Sequence, residues 1–158
     1  MVAPTAKEKK MGALSRRAAL ALGLGTAAAL AADPARATPG EADEAIGKFT
    51  GGKAAEPGPI TIDLPEIAEN GTAVPLTVTV ESPMTASDRI TDVLVVADGN
   101  PNPRVATFRF TPMSGRAEVA TRIRLNATEN VIVVARTGDG RFFTARKEVK
   151  VTIGGCGG

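Results

Sequence analysis

The sequence predicts an all-β fold: an immunoglobulin-like β-sandwich with a short N-terminal helix and a flexible C-terminal glycine tail. Three observations lead there. Apolar residues recur with a period of two from Ile60 onward, two uninterrupted apolar runs break that alternation, and turn-forming residues stand in nearly every gap. About seven short strands joined by turns, without intervening helices, suit a sandwich, and 158 residues suit one domain. A barrel built from the same strands is the alternative. With one cysteine and no Trp, an antibody-type disulfide core is excluded.

Residues 1–37 read as an export address. Ser15-Arg16-Arg17 is followed by an uncharged run, Ala18 to Ala32, rich in Ala, Leu and Gly. Fifteen residues at about 1.5 Å each span only ~22 Å, short of a ~30 Å hydrocarbon layer. Basic residues, a short apolar run and the small-x-small site Ala35-Arg36-Ala37 make a secretory signal, with Thr38 as the mature start. The Arg16-Arg17 pair and the mild hydrophobicity resemble a twin-arginine signal, although Ala19 and Ala21 stand where that motif prefers Phe and Lys. Met1 and Met11 both remain as starts. An Ala/Leu helix of the folded domain is the alternative reading.

Thr38-Pro39-Gly40-Glu41 has capping-box spacing, Ala42, Ile46 and Phe49 follow at helical spacing, and Gly51-Gly52 stop the helix. Glu56-Pro57-Gly58-Pro59 reads as a linker. Alternation then marks Ile60 to Leu64, Leu76 to Val80, Phe108 to Phe110, Val119 to Leu125 and Val149 to Ile153. Val93 to Val96 and Val131 to Val134 are continuous apolar runs, as strands buried on both faces require. Asn70-Gly71, Asp98-Gly99-Asn100-Pro101, Ser114-Gly115 and Asp139-Gly140 supply turns. The sandwich domain thus spans 38–153, leaving 154–158 as an arm.

Composition removes whole classes of chemistry. There is no histidine, the commonest general base and metal ligand, and one cysteine alone closes neither a disulfide nor a zinc site. No metal and no cofactor are expected. Six of the 19 basic and two of the 17 acidic residues precede Thr38, leaving 13 against 15 in the mature chain. That balance points to neither nucleic acid nor a stable membrane association. Acidic residues concentrate before position 104 and basic ones after it. Pairing of early strands with late ones accounts for this, with Arg122 and Arg124 facing solvent. Asn126-Ala127-Thr128 forms a glycosylation sequon, which is accidental in a twin-arginine substrate.

The chain finishes Gly154-Gly155-Cys156-Gly157-Gly158, four glycines around its only thiol. Glycines order at high entropic cost, so the tail is expected to sample many conformations. Three residues reach about 10 Å when extended. The Gly158 carboxylate opposes thiolate formation, and no Arg, Lys or His stands nearby in sequence to favour it. Such a thiol is suited to delivery into another protein's active site. An accidental free thiol and an intermolecular disulfide are the alternatives, but an exposed thiol without a role is a hazard in an oxidising compartment.

Here the residues carry a resemblance. Val149-Lys150-Val151-Thr152-Ile153-Gly154-Gly155-Cys156-Gly157-Gly158 resembles the C-terminal signature of the SoxY family, sulfur-carrying subunits of periplasmic thiosulfate oxidation. Ile67-Ala68-Glu69-Asn70-Gly71, Ser82-Pro83-Met84-Thr85, Asn100-Pro101-Asn102-Pro103 and Ala120-Thr121-Arg122-Ile123-Arg124-Leu125 are similar to that family too. The resemblance implies an immunoglobulin-like fold in a heterodimer with SoxZ, a periplasmic location, and inorganic sulfur held covalently on Cys156. It implies transient partners: SoxAX to load thiosulfate oxidatively, SoxB to hydrolyse off sulfate, and a sulfane dehydrogenase for the remaining sulfur. The chain itself would then be no enzyme. Two rival roles differ in class: a sulfur carrier using Gly157-Gly158 as a thiocarboxylate, and an adhesive sandwich joined through Cys156 disulfides.

Overall fold

The structure is a computed structural model, and it describes residues 39–155. Its first element is helix α1 (Pro39–Thr50). Gly51 and Gly52 take positive φ of 65° and 79°, which lets the Gly52 N–H donate to Gly47 O at 3.0 Å and close the helix end. The expected N-cap, Thr38, lies outside the described residues. No helix among the described residues is long and apolar enough to cross a membrane.

Nine strands follow among the described residues, where about seven were expected: β1 (Glu56–Pro57), β2 (Ile60–Asp63), β3 (Ile67–Asn70), β4 (Val74–Val80), β5 (Ile90–Ala97), β6 (Arg104–Arg109), β7 (Ala117–Ile123), β8 (Glu129–Thr137) and β9 (Phe142–Ile153). The larger sheet runs β1-β9-β8-β5-β6, with β3 also on β9, and the smaller runs β2-β4-β7. The sandwich expectation holds.

The two apolar runs have two separate tasks. Val93, Val95, Val131, Val133 and Val149 pack in one core with Leu76, Val78, Val80 and Ile123 of the smaller sheet. Alternate residues Leu94, Val96, Ile132 and Val134 form a second core with Phe142, Ala42, Ile46 and Phe49, so α1 covers the outer face of the larger sheet. Phe49 meets Phe142 edge-on, ring centroids 5.9 Å apart at 70°. Burying a Leu or Val fully contributes about 1.5–3 kcal/mol, so uninterrupted apolar sequence is what two-sided burial selects.

Three differences from the sequence reading concern β9. The linker segment Glu56–Pro57 is strand β1, parallel to Phe143–Thr144. Ile67–Asn70, unassigned by periodicity, is strand β3, parallel to Lys150–Ile153. The last strand, expected over Val149–Ile153, has 12 residues and starts at Phe142. Lys147 hides that length: it pairs with inward-facing Val131, and its ammonium escapes by donating to Leu64 O at 2.7 Å. A charge at a core-facing position breaks the period of two without breaking the strand. Opposite charges from early and late strands do meet: buried Asp92 accepts from Arg136 Nε at 3.0 Å and lies 3.6 Å from Arg109 Nε. Arg122 and Arg124 are exposed.

Candidate functional site

The expected arm begins where β9 ends. Cys156, Gly157 and Gly158 lie outside the described residues, as do Arg16, Arg17, Ala35 and Ala37 of the expected signal. Gly154 and Gly155 are described, and they lie against the domain.

Three backbones meet at this point: the turn after β3, the loop after β7, and the end of β9. The Leu125 N–H donates to Gly71 O at 2.8 Å, and the Gly155 N–H donates to Leu125 O at 2.8 Å. The packing is tight enough to exclude side chains. A Cβ on Gly154 would stand 2.0 Å from Asn126 O, one on Gly155 2.6 Å from Gly71 O, and one on Gly71 2.1 Å from Leu125 O. Gly154 and Gly155 are therefore needed as much for close approach as for freedom of movement. Two of the five residues read as a free arm form its seat.

The strand before the seat is fixed on both edges. On one side Ala68 and Asn70 of β3 pair with Val151 and Ile153. On the other the Val151 N–H donates to Thr128 Oγ1 at 3.0 Å. The Asn70 side chain accepts from Thr72 N at 2.9 Å, which caps the single helical turn Gly71–Ala73 and sets the Gly71 carbonyl.

Beneath the seat a buried polar network holds the β7–β8 loop. Glu129 Oε1 accepts from Asn126 N at 2.8 Å and Ala127 N at 3.4 Å, while Oε2 accepts from Gly99 N at 2.8 Å. Asn100 donates through Nδ2 to Arg124 O and accepts at Oδ1 from Asn126 N, at 2.8 and 2.9 Å. Both side chains are buried. Burial pushes the Glu129 carboxyl above its ordinary 4.5; the three N–H groups oppose that rise and neighbouring Asp98 adds to it. Buried polar groups satisfied in this way fix a loop far more strictly than apolar contacts do.

A hollow of about 560 Å³ opens beside the seat, lined by Gly99, Asn126, Ala127, Thr128, Val151, Thr152 and Gly154. Among the described residues its walls carry no charged side chain. A second open groove of about 570 Å³ lies between α1 and β6, and its charged lining includes the Asp92–Arg136 and Glu44–Lys48 pairs. None of the seat residues contributes to it.

The sequence reading named none of Gly71, Asn100, Arg124 or Glu129 as site residues. The signal was nevertheless present. Ile67 to Gly71, Asn100 to Pro103 and Ala120 to Leu125, stretches quoted for the family resemblance, converge here through Gly71, Asn100, Arg124 and Leu125. Among the described residues no group of three His, Cys, Asp or Glu side chains is placed to hold a metal ion.

A family model described as sulfur oxidation protein SoxY matches residues 46–156. The sulfur carrier protein SoxY from Chlorobium limicola f thiosulfatophilum is similar in structure, with TM-score 0.60 and 37% identity, over 73% of this chain and 100% of that one. Superoxide reductase (neelaredoxin) from Ignicoccus hospitalis aligns with TM-score 0.54 over 73% of this chain and 94% of that one. At 22% identity that likeness shows a shared fold alone. No curated protein matches the sequence.

Proposed function

The chain belongs to the SoxY family of sulfur carriers, and on that footing we propose that it holds thiosulfate-derived sulfur covalently on Cys156 while partner enzymes oxidise it. One observation carries this reading most: the family match runs through position 156, the only thiol in the sequence, and the residue before it, Gly155, donates its N–H to Leu125 O.

The Cys156 thiol loses its proton, its sulfur bonds to the terminal sulfur of thiosulfate, and two electrons pass to an oxidising partner of the SoxAX kind. Water then attacks the sulfonate sulfur in a SoxB-type hydrolysis. Sulfate leaves, two protons are released, and a persulfide anion, Cys–S–S⁻, remains on Cys156. A sulfane dehydrogenase acts on that sulfur where one is present. The domain supplies the attachment point, and the partners supply the redox and hydrolytic groups. Export by the twin-arginine route through Arg16-Arg17, cleavage after Ala37, a periplasmic location and a stable SoxZ partner complete the reading.

Intact-mass measurement after incubation with thiosulfate and the oxidising partner tests it. The expected result is a thiosulfate-sized increment on the chain that reductant removes and Cys156→Ala abolishes. An increment that persists in Cys156→Ala overturns the proposal. An increment lost only on deletion of Gly158 points instead to a thiocarboxylate.

A further inference from the structure

Strand β6 ends the larger sheet, and among the described residues no strand pairs with its outer edge. The Phe110 N–H donates to Thr91 O at 2.8 Å, and the register sets Phe108 opposite Val93 and Arg109 opposite Asp92. Bonded and non-bonded pairs alternate in an antiparallel ladder, so the N–H and C=O groups of Thr107 and Arg109 point away from β5. An edge of this kind invites another strand, and proteins commonly blunt it with Pro, a bulge or a cover. β6 contains no Pro, and its one register shift lies before Ala106, leaving Thr107 to Arg109 regular.

The edge has two chemically different faces. Toward the smaller sheet, Val105, Phe108, Phe110 and Val119 are only half-buried, whereas Val93 and Val95 behind them are fully buried. β7, which carries Val119, is itself the end of the smaller sheet, so this side of the sandwich leaves apolar surface partly uncovered. Toward α1, Arg104 and Arg109 stand at the two ends of β6 and line the open groove with Lys48 and Arg136. The Arg109 side chain is 87% exposed, and Asp92, which it approaches to 3.6 Å, also accepts from Arg136 Nε. Arg104 donates to Thr107 Oγ1 at 3.1 Å. Glu41 and Glu44 line the groove from α1, and Glu44 is tied to Lys48 at 2.6 Å.

We propose that β6 is the docking edge for a strand of a different chain, in which apolar and acidic residues alternate. Its apolar side chains finish covering Val105, Phe108 and Phe110, and its carboxylates meet Arg104 and Arg109. A second copy of this chain fits badly. Antiparallel pairing of two β6 strands about their middle brings each Arg109 near the other copy's Arg104, and parallel pairing brings each arginine near its own counterpart. Like charges across a seam destabilise it, whereas opposite charges support it. No residue of the edge belongs to the glycine seat, so a partner held here leaves that end of the sandwich open. The inference gives the stable partner of the proposed function its surface, and it rests on that reading for the existence of such a partner.

The test uses the chain alone and in complex with the SoxZ-type subunit, with amide exchange read residue by residue by NMR. The Thr107 and Arg109 amides should exchange near the unprotected rate in the free chain and at least ~10-fold more slowly in the complex. Thr107→Pro removes one outward donor, where an edge strand tolerates Pro, and should weaken the complex roughly 10-fold. Arg104→Glu should weaken it by about 10-fold at low ionic strength, and the difference should shrink at about 1 M salt. Lys53→Glu makes the same charge change beside Gly140, away from the edge, and should leave the affinity unaltered. Far-UV circular dichroism melts show whether each variant is folded, and Arg104→Glu with the exchange data decides the matter if Thr107→Pro is not. Thr107 and Arg109 amides that exchange equally in the free and bound chain overturn the docking edge. An Arg104→Glu affinity equal to wild type at low salt overturns the acidic partner strand. Protection already present in the free monomer gives the edge to a terminal segment of this chain, and a free dimer that Thr107→Pro dissociates gives it to a second copy; either overturns the proposal. A wild-type chain that binds no such subunit overturns the partner reading itself, which is distinct from binding with an unprotected edge.

Discussion

Replacing Gly71 by Ala probes the seat from the domain side. The new methyl carbon would stand 2.1 Å from Leu125 O, 2.9 Å from Gly155 N and 3.1 Å from Val151 Cγ1. The first two neighbours are backbone atoms, which cannot swing aside as a side chain does. Overpacking of this kind costs about 1–3 kcal/mol. The same displacement strains the Leu125–Gly71 and Gly155–Leu125 hydrogen bonds, each contributing about 0.5–1.5 kcal/mol net. Together the loss is roughly 2–6 kcal/mol, which for a domain of this size lowers the melting temperature by roughly 8–24 °C. With neither Trp nor Tyr in the chain, calorimetry or far-UV circular dichroism is the suitable assay. Gly47→Ala is the control. Its Cβ meets nothing within 4 Å in α1, and Ala is the better helix former by about 0.5–1 kcal/mol, so its melting temperature should rise slightly. A Gly71→Ala domain melting within about 2 °C of wild type would refute the packing argument, because that shift corresponds to less than ~1 kcal/mol.

Glu129 gives a pH-dependent signature. Its carboxyl titrates above the ordinary 4.5 in the folded chain, so folding takes up a proton. Its contribution to stability is therefore greatest below pH 4.5 and declines as pH rises through the elevated value. Glu129→Gln removes that titration and leaves one backbone N–H facing an amide donor, so the variant is less stable throughout. The wild-type advantage in urea or thermal unfolding should narrow with rising pH above 4.5, and a widening gap contradicts the assigned cause. Phe49→Ala should cost roughly 2 kcal/mol, since it removes both the edge contact with Phe142 and part of the cover over Leu94 and Val96. Denaturant melts check this, and a loss below ~0.5 kcal/mol would mean that α1 contributes little to the second core.

Periodicity made the central strands legible because Val93 to Val96 and Val131 to Val134 answer only to burial. The edges were legible less often. β3 carries Glu69 and Asn70, and β1 is Glu56-Pro57; both are defined by what they pair with on β9, a long-range fact that no local pattern encodes. Lys147 concealed half of β9 for the same reason, since its partner is the carbonyl of Leu64. The thiol itself stood out by composition, as the only cysteine among terminal glycines. Its seat did not, because Gly71, Leu125 and Gly155 are brought together by backbone hydrogen bonds, which are independent of side-chain identity.

β9 is held by β8 over Phe142–Val149 on one edge, and by β1 and then β3 on the other. On the proposed function, a partner enzyme that drew on Cys156 would load this strand along its axis. The ladders beside it are loaded in shear, so their hydrogen bonds resist together and do not open one at a time. The Gly155–Leu125 bond lies ahead of them and would yield before the ladders do. On that reading the domain would act as an anchored post with a short, breakable stay.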